Sequence, residues 1–351
     1  MKYLFIITGI AYGHLIREEA IISRLKKLDK KAEITIAGYG TSYSYFKKRY
    51  KVLKLNPMFF PDESNRVKFF STLIRNYKIF LNWIINFKLI KEFISNDKPN
   101  AVVSDWEPFA MFLKECKYLI WNYKPRYAKA RNILVFLEKI TIEFGYFISK
   151  IFRKRIILPS LNKEESSGNF IYTSLIVRNT PDEINELSKY KDCIIVMIGG
   201  SNFGSDLANK VENISGNFDE RFIFFNHKCK SRNCIGYHKF KDNYLEYLKS
   251  CKAVISLGGY SGISESIFFK KPNLAFPIKN WTEQMAVVEE FRDYIEIGDI
   301  ESSEEDLKIK IKEFLINIPK MKKKLNSLML LSNGADEIAR IIYKEAGVIS
   351  R

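Results

Sequence analysis

Long apolar runs are missing from this 351-residue chain; no stretch of eighteen apolar residues occurs, so no membrane-spanning helix is expected. Cysteine is scarce, five residues without regular spacing, which excludes a disulfide-framed scaffold and points to a reducing compartment. Histidine is scarcer, at three. No recognised nucleic-acid-binding motif and no internal sequence repeat is present. A signal peptide is not expected either. The apolar run of Met1-Lys2-Tyr3-Leu4-Phe5-Ile6-Ile7 is cut short by Thr8-Gly9 and Tyr12-Gly13-His14, with no small-residue cleavage site, and reads as a first strand.

What is present is a globular composition, 46% hydrophobic and 28% charged, long enough for two domains with their own cores. Net charge is +17 and unevenly placed. Residues 1–150 carry 27 Lys+Arg against 13 Asp+Glu, a net +14, while the remainder carries 30 against 27, a net +3. A lysine-rich composition explains the total without any partner. The asymmetry points instead to an anionic partner of the first half, with nucleic acid, lipid headgroups and a pyrophosphate-bearing molecule as candidate chemistries.

The most informative stretch runs from Cys251 to Gln284. Ala253 to Leu257 is a short apolar run typical of a buried parallel strand. Gly258-Gly259-Tyr260-Ser261-Gly262 supplies a turn, and a helix is expected from about Ser261, with Ile263, Ile267 and Phe268 inward. Lys270-Lys271-Pro272 stops it, and Leu274 to Phe276 is the next strand. Strand, glycine turn and helix N-terminus together make an anion site, because free N–H groups and the positive helix end converge there.

This order resembles the donor-nucleotide signature of GT-B glycosyltransferases of the MurG-type and UDP-glycosyltransferase branch: strand, Gly-rich turn with an aromatic, helix with a Glu, Lys-Pro break, strand ending in Pro, acidic-Gln pair. Leu257 departs from it, standing where many plant-type members have a phosphate-contacting His. The resemblance implies that Gly259, Tyr260, Ser261 and Gly262 hold a diphosphate by their amides. Glu265 would accept ribose hydroxyls, and Glu283 and Gln284 would grip the transferred sugar. It further implies that Gly200 and Ser201, in the Gly199-Gly200-Ser201 turn after the strand Cys193 to Ile198, contact the donor, and that Phe240 contacts the base.

The first fifty residues alternate strand, glycine turn and helix in βαβαβ order, implying α/β architecture with a doubly wound parallel sheet. Gly13-His14-Leu15-Ile16-Arg17 resembles the Gly-x-Gly-His element opening the same families' first domain, with Ala11 replacing one glycine. There the His is a candidate base for an acceptor hydroxyl, a task suited to a group titrating near neutrality. Gly13 and Arg17 are then acceptor-side candidates. Asp105 ends the strand Ala101 to Asp105 and is a candidate partner for His14 or an acceptor hydroxyl. Asp105-Trp106-Glu107 has the form of an Asp-x-Asp metal motif, but a lone match is weak.

Two GT-B lobes are therefore expected: residues 1–165 for the acceptor, 166–332 for the nucleotide sugar, and a C-terminal helix over 333–351 returning to the first. The polar Pro159 to Asn169 is the linker candidate. Phe69, Phe70, Leu73, Ile74, Tyr77, Phe80, Leu81, Ile84, Ile85 and Phe87 recur at helical spacing among Lys68, Arg75, Lys78, Lys88 and Lys91. Core packing is the expectation for most of this stripe, with a membrane interface as the alternative. A similar mixed segment, Ile133 to Arg155, ends in a basic cluster. His227, Cys229, Cys234 and His238 have zinc-ligand residue types, but their spacing is not that of paired knuckles, so no metal is expected.

The resemblance thus implies an enzyme transferring a sugar, with inversion, from a UDP-type donor to an acceptor for which a lipid-linked molecule is one class. No cofactor, metal or nucleic acid is expected. The setting would be cytoplasmic, with the basic half suited to the inner membrane face. Two alternatives stay open from sequence: a nucleotide-sugar hydrolase of the same fold, since Gly-x-Gly-His-x-x-Arg occurs there too, and a non-catalytic basic protein binding membrane or nucleic acid.

Overall fold

The computed structural model describes residues 1–10, 12–58, 74, 76–122, 133–161, 164–199, 203–238, 241, 243–329 and 332–349. Alternating apolar strands and amphipathic helices build two parallel sheets, each covered on both faces. The first lobe contains β1 (Lys2–Ile7), α1 (Tyr12–Leu28), β2 (Glu33–Gly38), α2 (Gly40–Phe46), β3 (Lys51–Lys54), α3 (Ile79–Asp97), β4 (Ala101–Asp105), β5 (Cys116–Ile120), α4 (Ile133–Ile151), β6 (Arg155–Pro159) and β7 (Phe170–Thr173). Its strand order is β3-β2-β1-β4-β5-β6-β7, all parallel. The second lobe contains β8 (Cys193–Met197), α5 (Ser205–Ile214), β9 (Arg221–Phe225), β10 (Cys234–Tyr237), α6 (Tyr244–Ser250), β11 (Ala253–Leu257), α7 (Tyr260–Phe268), β12 (Asn273–Phe276), α8 (Thr282–Glu290), β13 (Glu296–Ile297) and α9 (Glu304–Asn326). Its order, β10-β9-β8-β11-β12-β13, repeats the same winding. In both sheets the order reverses beside the first strand, and parallel α/β sheets place ligands beyond the strand ends at such switch points.

Three results differ from the sequence expectation. First, Pro159 to Asn169 does not link the lobes. Phe170–Thr173 pairs with β6, so the first sheet continues past the expected boundary at 165/166 and the segment is an in-lobe connection. The chain crosses after Thr173 and returns at Asn333-Gly334. There Asn333 accepts from Val177 N (3.2 Å) and donates to Val177 O (2.7 Å), while Gly334 N donates to Leu175 O (2.8 Å), tying the two crossings together. The final helix, α10 (Gly334–Ile349), then packs on α1, with Ala335, Ile338, Ala339 and Ile342 in the same core as β1 and α1.

Second, most of the described aromatic-basic stripe is not core. Along α3 only Asn86, Ile90 and Ile94 are buried, while Phe80 is 70% exposed and Leu81, Ile84 and Ile85 are also exposed. The segment is apolar around more of its circumference than one sheet face can cover. Phe69, Phe70, Leu73 and Arg75 lie outside the described residues. Helix α4 shows the same pattern, with Phe144 and Phe147 each 60% exposed. Both helices flank the turn Pro108–Phe112, whose Phe112 is itself exposed and meets Phe152 edge-on. Among the described residues, no helix is long and apolar enough to cross a membrane.

Third, the zinc-type quartet read from sequence is not assembled as written: His238 is exposed, whereas Glu212 of α5 joins His227 and Cys229.

Candidate active site

The two glycine-turn helices, α1 and α7, meet across the cleft between the lobes. Ser261 Oγ donates to Gly13 O at 2.9 Å, joining the first turn of α7 to that of α1. The cleft is lined by Gly13, His14 and Asn122 from the first lobe, by Arg178 from the crossing, and by Gly259 to Gly262, Glu265, Glu283 and Gln284 from the second. About 1080 Å³ of space, part of it open to solvent, lies between these walls.

At the second lobe's switch point, β11 runs into Gly258-Gly259 and α7 begins at Tyr260, with Ile263 N to Gly259 O (3.2 Å) as an early intrahelical bond. The amides of Tyr260, Ser261 and Gly262 occupy the first turn, which has no acceptors of its own. The Tyr260 ring packs into the core near Phe291, so this residue offers the cleft its main chain. The turn packs closely at Gly262, where a Cβ would stand 2.2 Å from Met197 Cε and make the end of that side chain shift. Leu257, expected where many of the resembled enzymes have a phosphate-contacting His, is buried and lines the cleft with a side chain that offers no hydrogen-bond donor.

Glu265 lies one turn further on and is 3% exposed. Arg178 holds it bidentately, Nε to Oε1 at 2.8 Å and Nη2 to Oε2 at 3.1 Å, with the guanidinium over the Tyr244 ring. Burial would discharge Arg178, but the charge and hydrogen bonds of Glu265 outweigh it and hold the guanidinium above its ordinary value. Sequence reasoning missed Arg178 because it closes the crossing between lobes and reaches the cleft only through the fold. Each Glu265 oxygen retains a second lone pair for a hydroxyl donor. Gln284 Oε1 accepts from Ile278 N at 2.9 Å, which leaves its amide group to donate, and Glu283 accepts from Asn122 Nδ2 across the cleft. Gly200, Ser201 and Phe240 lie outside the described residues. Their neighbour Gly199 lines the cleft, and its carbonyl accepts from Asn226 at 2.9 Å.

On the facing wall, His14 is 7% exposed and its Nδ1 lies 2.9 Å from Asp105 Oδ1. Arg17 Nη2 also lies 3.1 Å from Nδ1, but that nitrogen already donates to Asp105, and the shorter contact is to a carboxylate that can only accept, which assigns the proton to Nδ1 and leaves Nε2 a lone pair. Asp105 is fully buried at the end of β4 and is held by Arg17 through Nε to Oδ2 at 3.0 Å and Nη2 to Oδ1. Burial pushes the Asp105 carboxyl up, yet Arg17 and His14 outweigh it and keep the group below the usual carboxylate range. Arg17, expected on the acceptor side, is buried behind His14 and does not line the cleft; its contacts make it the counter-charge of Asp105.

Two further carboxyl groups surround this pair. Glu18 is fully buried, and burial followed by the charge of Asp105 raises its carboxyl well above the ordinary range. Glu107 is pushed up to about 8, mainly by burial and further by Asp105, while hydrogen bonds from Tyr39 and Thr8 pull the other way. Tyr39 and Thr8 hydroxyls are themselves 2.8 Å apart. Of the three buried carboxyls, Asp105 alone is shifted toward its charged form, and it is the one that contacts His14.

The two-lobed winding agrees with comparisons to known proteins. The sequence is 29% identical over 236 residues to an uncharacterized glycosyltransferase of Methanosarcina acetivorans, covering 58% of this chain and 60% of that protein. With a second, from Methanosarcina mazei, it is 27% identical over 296 residues, covering 74% and 76%. The structure is similar to glycosyltransferase VinC in complex with DTDP (TM-score 0.61, 11% identity, 99% and 100% coverage). It is also similar to an Arabidopsis thaliana protein complexed with UDP-L-rhamnose (0.63, 12%, 98% and 99%) and to Acinetobacter baumannii MurG (0.63, 12%, 98% and 100%). The two-lobed α/β fold is accordingly the GT-B fold. The profile of glycosyl transferase family 1 matches residues 1–120 and 219–319, more than half of the sequence, and the chain belongs to that family.

Proposed function

We propose that the chain is a glycosyltransferase that moves a sugar from a nucleoside diphosphate donor to an acceptor hydroxyl. One observation carries the reading: the His14–Asp105 pair and the first turn of α7 line or support a single cleft and are joined through Ser261 and Gly13. VinC was solved with DTDP and the Arabidopsis protein with UDP-L-rhamnose, which supports a pyrimidine nucleotide donor, with UDP as our choice.

In this reading the diphosphate rests against the amides of Tyr260, Ser261 and Gly262, where N–H groups and the helix dipole favour negative charge. Glu265 accepts the ribose hydroxyls while Arg178 fixes its position from the other side. Glu283 and the Gln284 amide hold hydroxyls of the sugar. His14 Nε2 takes the proton of the acceptor hydroxyl as its oxygen attacks the anomeric carbon, and Asp105 stabilises the imidazolium that forms. The bond to the diphosphate breaks on the opposite face, so configuration inverts, and the leaving charge falls on preorganised amides.

The exposed apolar surface of α3 and α4, set among exposed Lys78, Lys88, Lys91, Lys150 and Arg153, supports docking on an anionic membrane and hence a lipid-linked acceptor. The experiment is a donor panel read by nucleoside diphosphate release with and without lipid-linked acceptors. Acceptor-dependent release that His14→Ala abolishes is expected. Release at the same rate without acceptor, or unaffected by His14→Ala, overturns the reading.

A further inference from the structure

Away from the cleft, the outer side of the second lobe gathers four metal-ligating residue types. Glu212 lies in α5, His227 and Cys229 lie in the β9–β10 connection, and Cys234 opens β10. His227 Nε2 is 2.7 Å from Glu212 Oε2, and each of these side chains is 12% exposed. One ligand atom each of Glu212, His227 and Cys229 lie within 4.8 Å of one another. Cys234 lies two residues before Gly236 on the same face of β10, the face against which the Cys229 thiol packs. Main-chain groups aim the carboxylate, since Glu212 Oε1 accepts from Ser231 N at 2.9 Å and from Lys230 N. The packing is close: a Cβ on Gly236 would stand 2.6 Å from Cys229 N and 2.9 Å from Cys229 Sγ.

We propose that Glu212, His227, Cys229 and Cys234 form a structural site for one divalent metal ion of the zinc class. Zinc takes nitrogen at about 2.0–2.1 Å and thiolate sulfur at about 2.3 Å in a tetrahedron, so its ligand atoms sit roughly 3.3–3.8 Å apart. The Glu212–His227 contact, at 2.7 Å, has to open by about 0.6 Å and a pair at the 4.8 Å limit has to close by about 1–1.5 Å, with Cys234 on the neighbouring strand face for the fourth position. Two sulfurs and an imidazole select zinc over magnesium or calcium, which favour oxygen. None of the four side chains lines the cleft, so the ion's role is mechanical: it pins α5 to the loop following β9. That loop begins with Asn226, which lines the cleft and holds the Gly199 carbonyl. Three of the four residues had drawn notice in the sequence, but Glu212 was hidden, because it lies 15 residues before His227 and joins it only in the folded lobe.

The test uses the full chain, stripped with chelator and kept reduced by a phosphine. Cobalt(II) is titrated first and zinc(II) second, with the thiolate-to-cobalt charge-transfer band and the tetrahedral d–d bands as readout. Uptake of about one cobalt, its displacement by zinc and a zinc-dependent rise in thermal stability are expected. Cys229→Ser and Glu212→Gln should each weaken uptake at least tenfold; Glu212→Gln keeps an oxygen acceptor for Ser231 and Lys230, so the loop still folds, as circular dichroism checks. Cys193→Ser, at a buried thiol on the first strand of this lobe, should change nothing. Absence of the charge-transfer band in the wild type, uptake undiminished in folded Glu212→Gln, or a Cys229–Cys234 disulfide as the resting state of metal-free protein overturns the proposal.

Discussion

Replacing Asp105 by asparagine probes the base and the packing beneath it together. Asp105 is 0% and Arg17 2% exposed, so the substitution leaves the guanidinium buried without its counter-charge. Breaking a buried ion pair in this way costs about 3–5 kcal/mol. At roughly 2–4 °C per kcal/mol for a lobe of this size, the first lobe's transition should fall by about 6–20 °C. The chemical effect is separate. An asparagine amide can donate to His14 Nδ1, which favours the tautomer whose proton sits on Nε2, where the lone pair is needed. The rate should drop about 10²–10⁴-fold, the usual worth of a positioned general base. The assay is single-turnover nucleoside diphosphate release below the lowered transition, with nucleotide affinity measured in parallel. That affinity should hold within about twofold, because Asp105 does not line the cleft. His14→Gln, which removes no charge from the buried cluster, should lose the rate with little loss of stability. Release by Asp105→Asn within threefold of wild type, in protein shown to be folded, refutes the argument.

Other consequences follow from the same geometry. Glu265→Ala should weaken uridine diphosphate binding at least tenfold in titration calorimetry, since it removes the hydroxyl acceptor and strands the buried Arg178; unchanged affinity defeats the ribose assignment. Glu107 makes stability fall with pH. The folded chain keeps this carboxyl protonated to about 8 against an ordinary 4.5, so its contribution is full below about 4.5 and is lost as pH rises through 8. That is about 1.4 kcal/mol per pH unit and about 4–5 kcal/mol across the window. Glu107→Gln should flatten the decline in urea unfolding at pH 5, 6.5 and 8, and parallel slopes for both proteins contradict it. Phe144→Ser/Phe147→Ser should cut sedimentation with anionic liposomes at low salt at least tenfold while leaving nucleotide affinity intact, and equal sedimentation counts against membrane docking.

Much of the lobe architecture was legible because its signals are local. Apolar runs such as Ala253 to Leu257 form strands buried on both faces, and Gly258 to Gly262 mark the turn into α7. His14 and Asp105 could be named singly because each closes or follows a strand at the functional edge. Their hydrogen bond joins residues 91 positions apart, which the shared sheet register supplies: Ile7 is paired with Asp105. Arg178 and Glu212 were illegible for the complementary reason, since their partners, Glu265 and His227, meet them only through the folded chain. The stripe on α3 misled because an apolar helical period looks alike whether it is buried or exposed; only the burial of Ile90 and Ile94 beside the exposure of Phe80 and Ile84 separates them. The boundary near residue 165 failed because a polar turn looks the same between lobes as between β6 and β7.

The account rests on diphosphate recognition by main-chain amides at the mouth of α7, and a crystal structure of the chain with uridine diphosphate tests it most directly. It predicts the diphosphate within hydrogen-bonding distance of the Tyr260, Ser261 and Gly262 amides, with the ribose on Glu265. A nucleotide bound elsewhere, or a filled cleft whose phosphates point away from that helix, contradicts it.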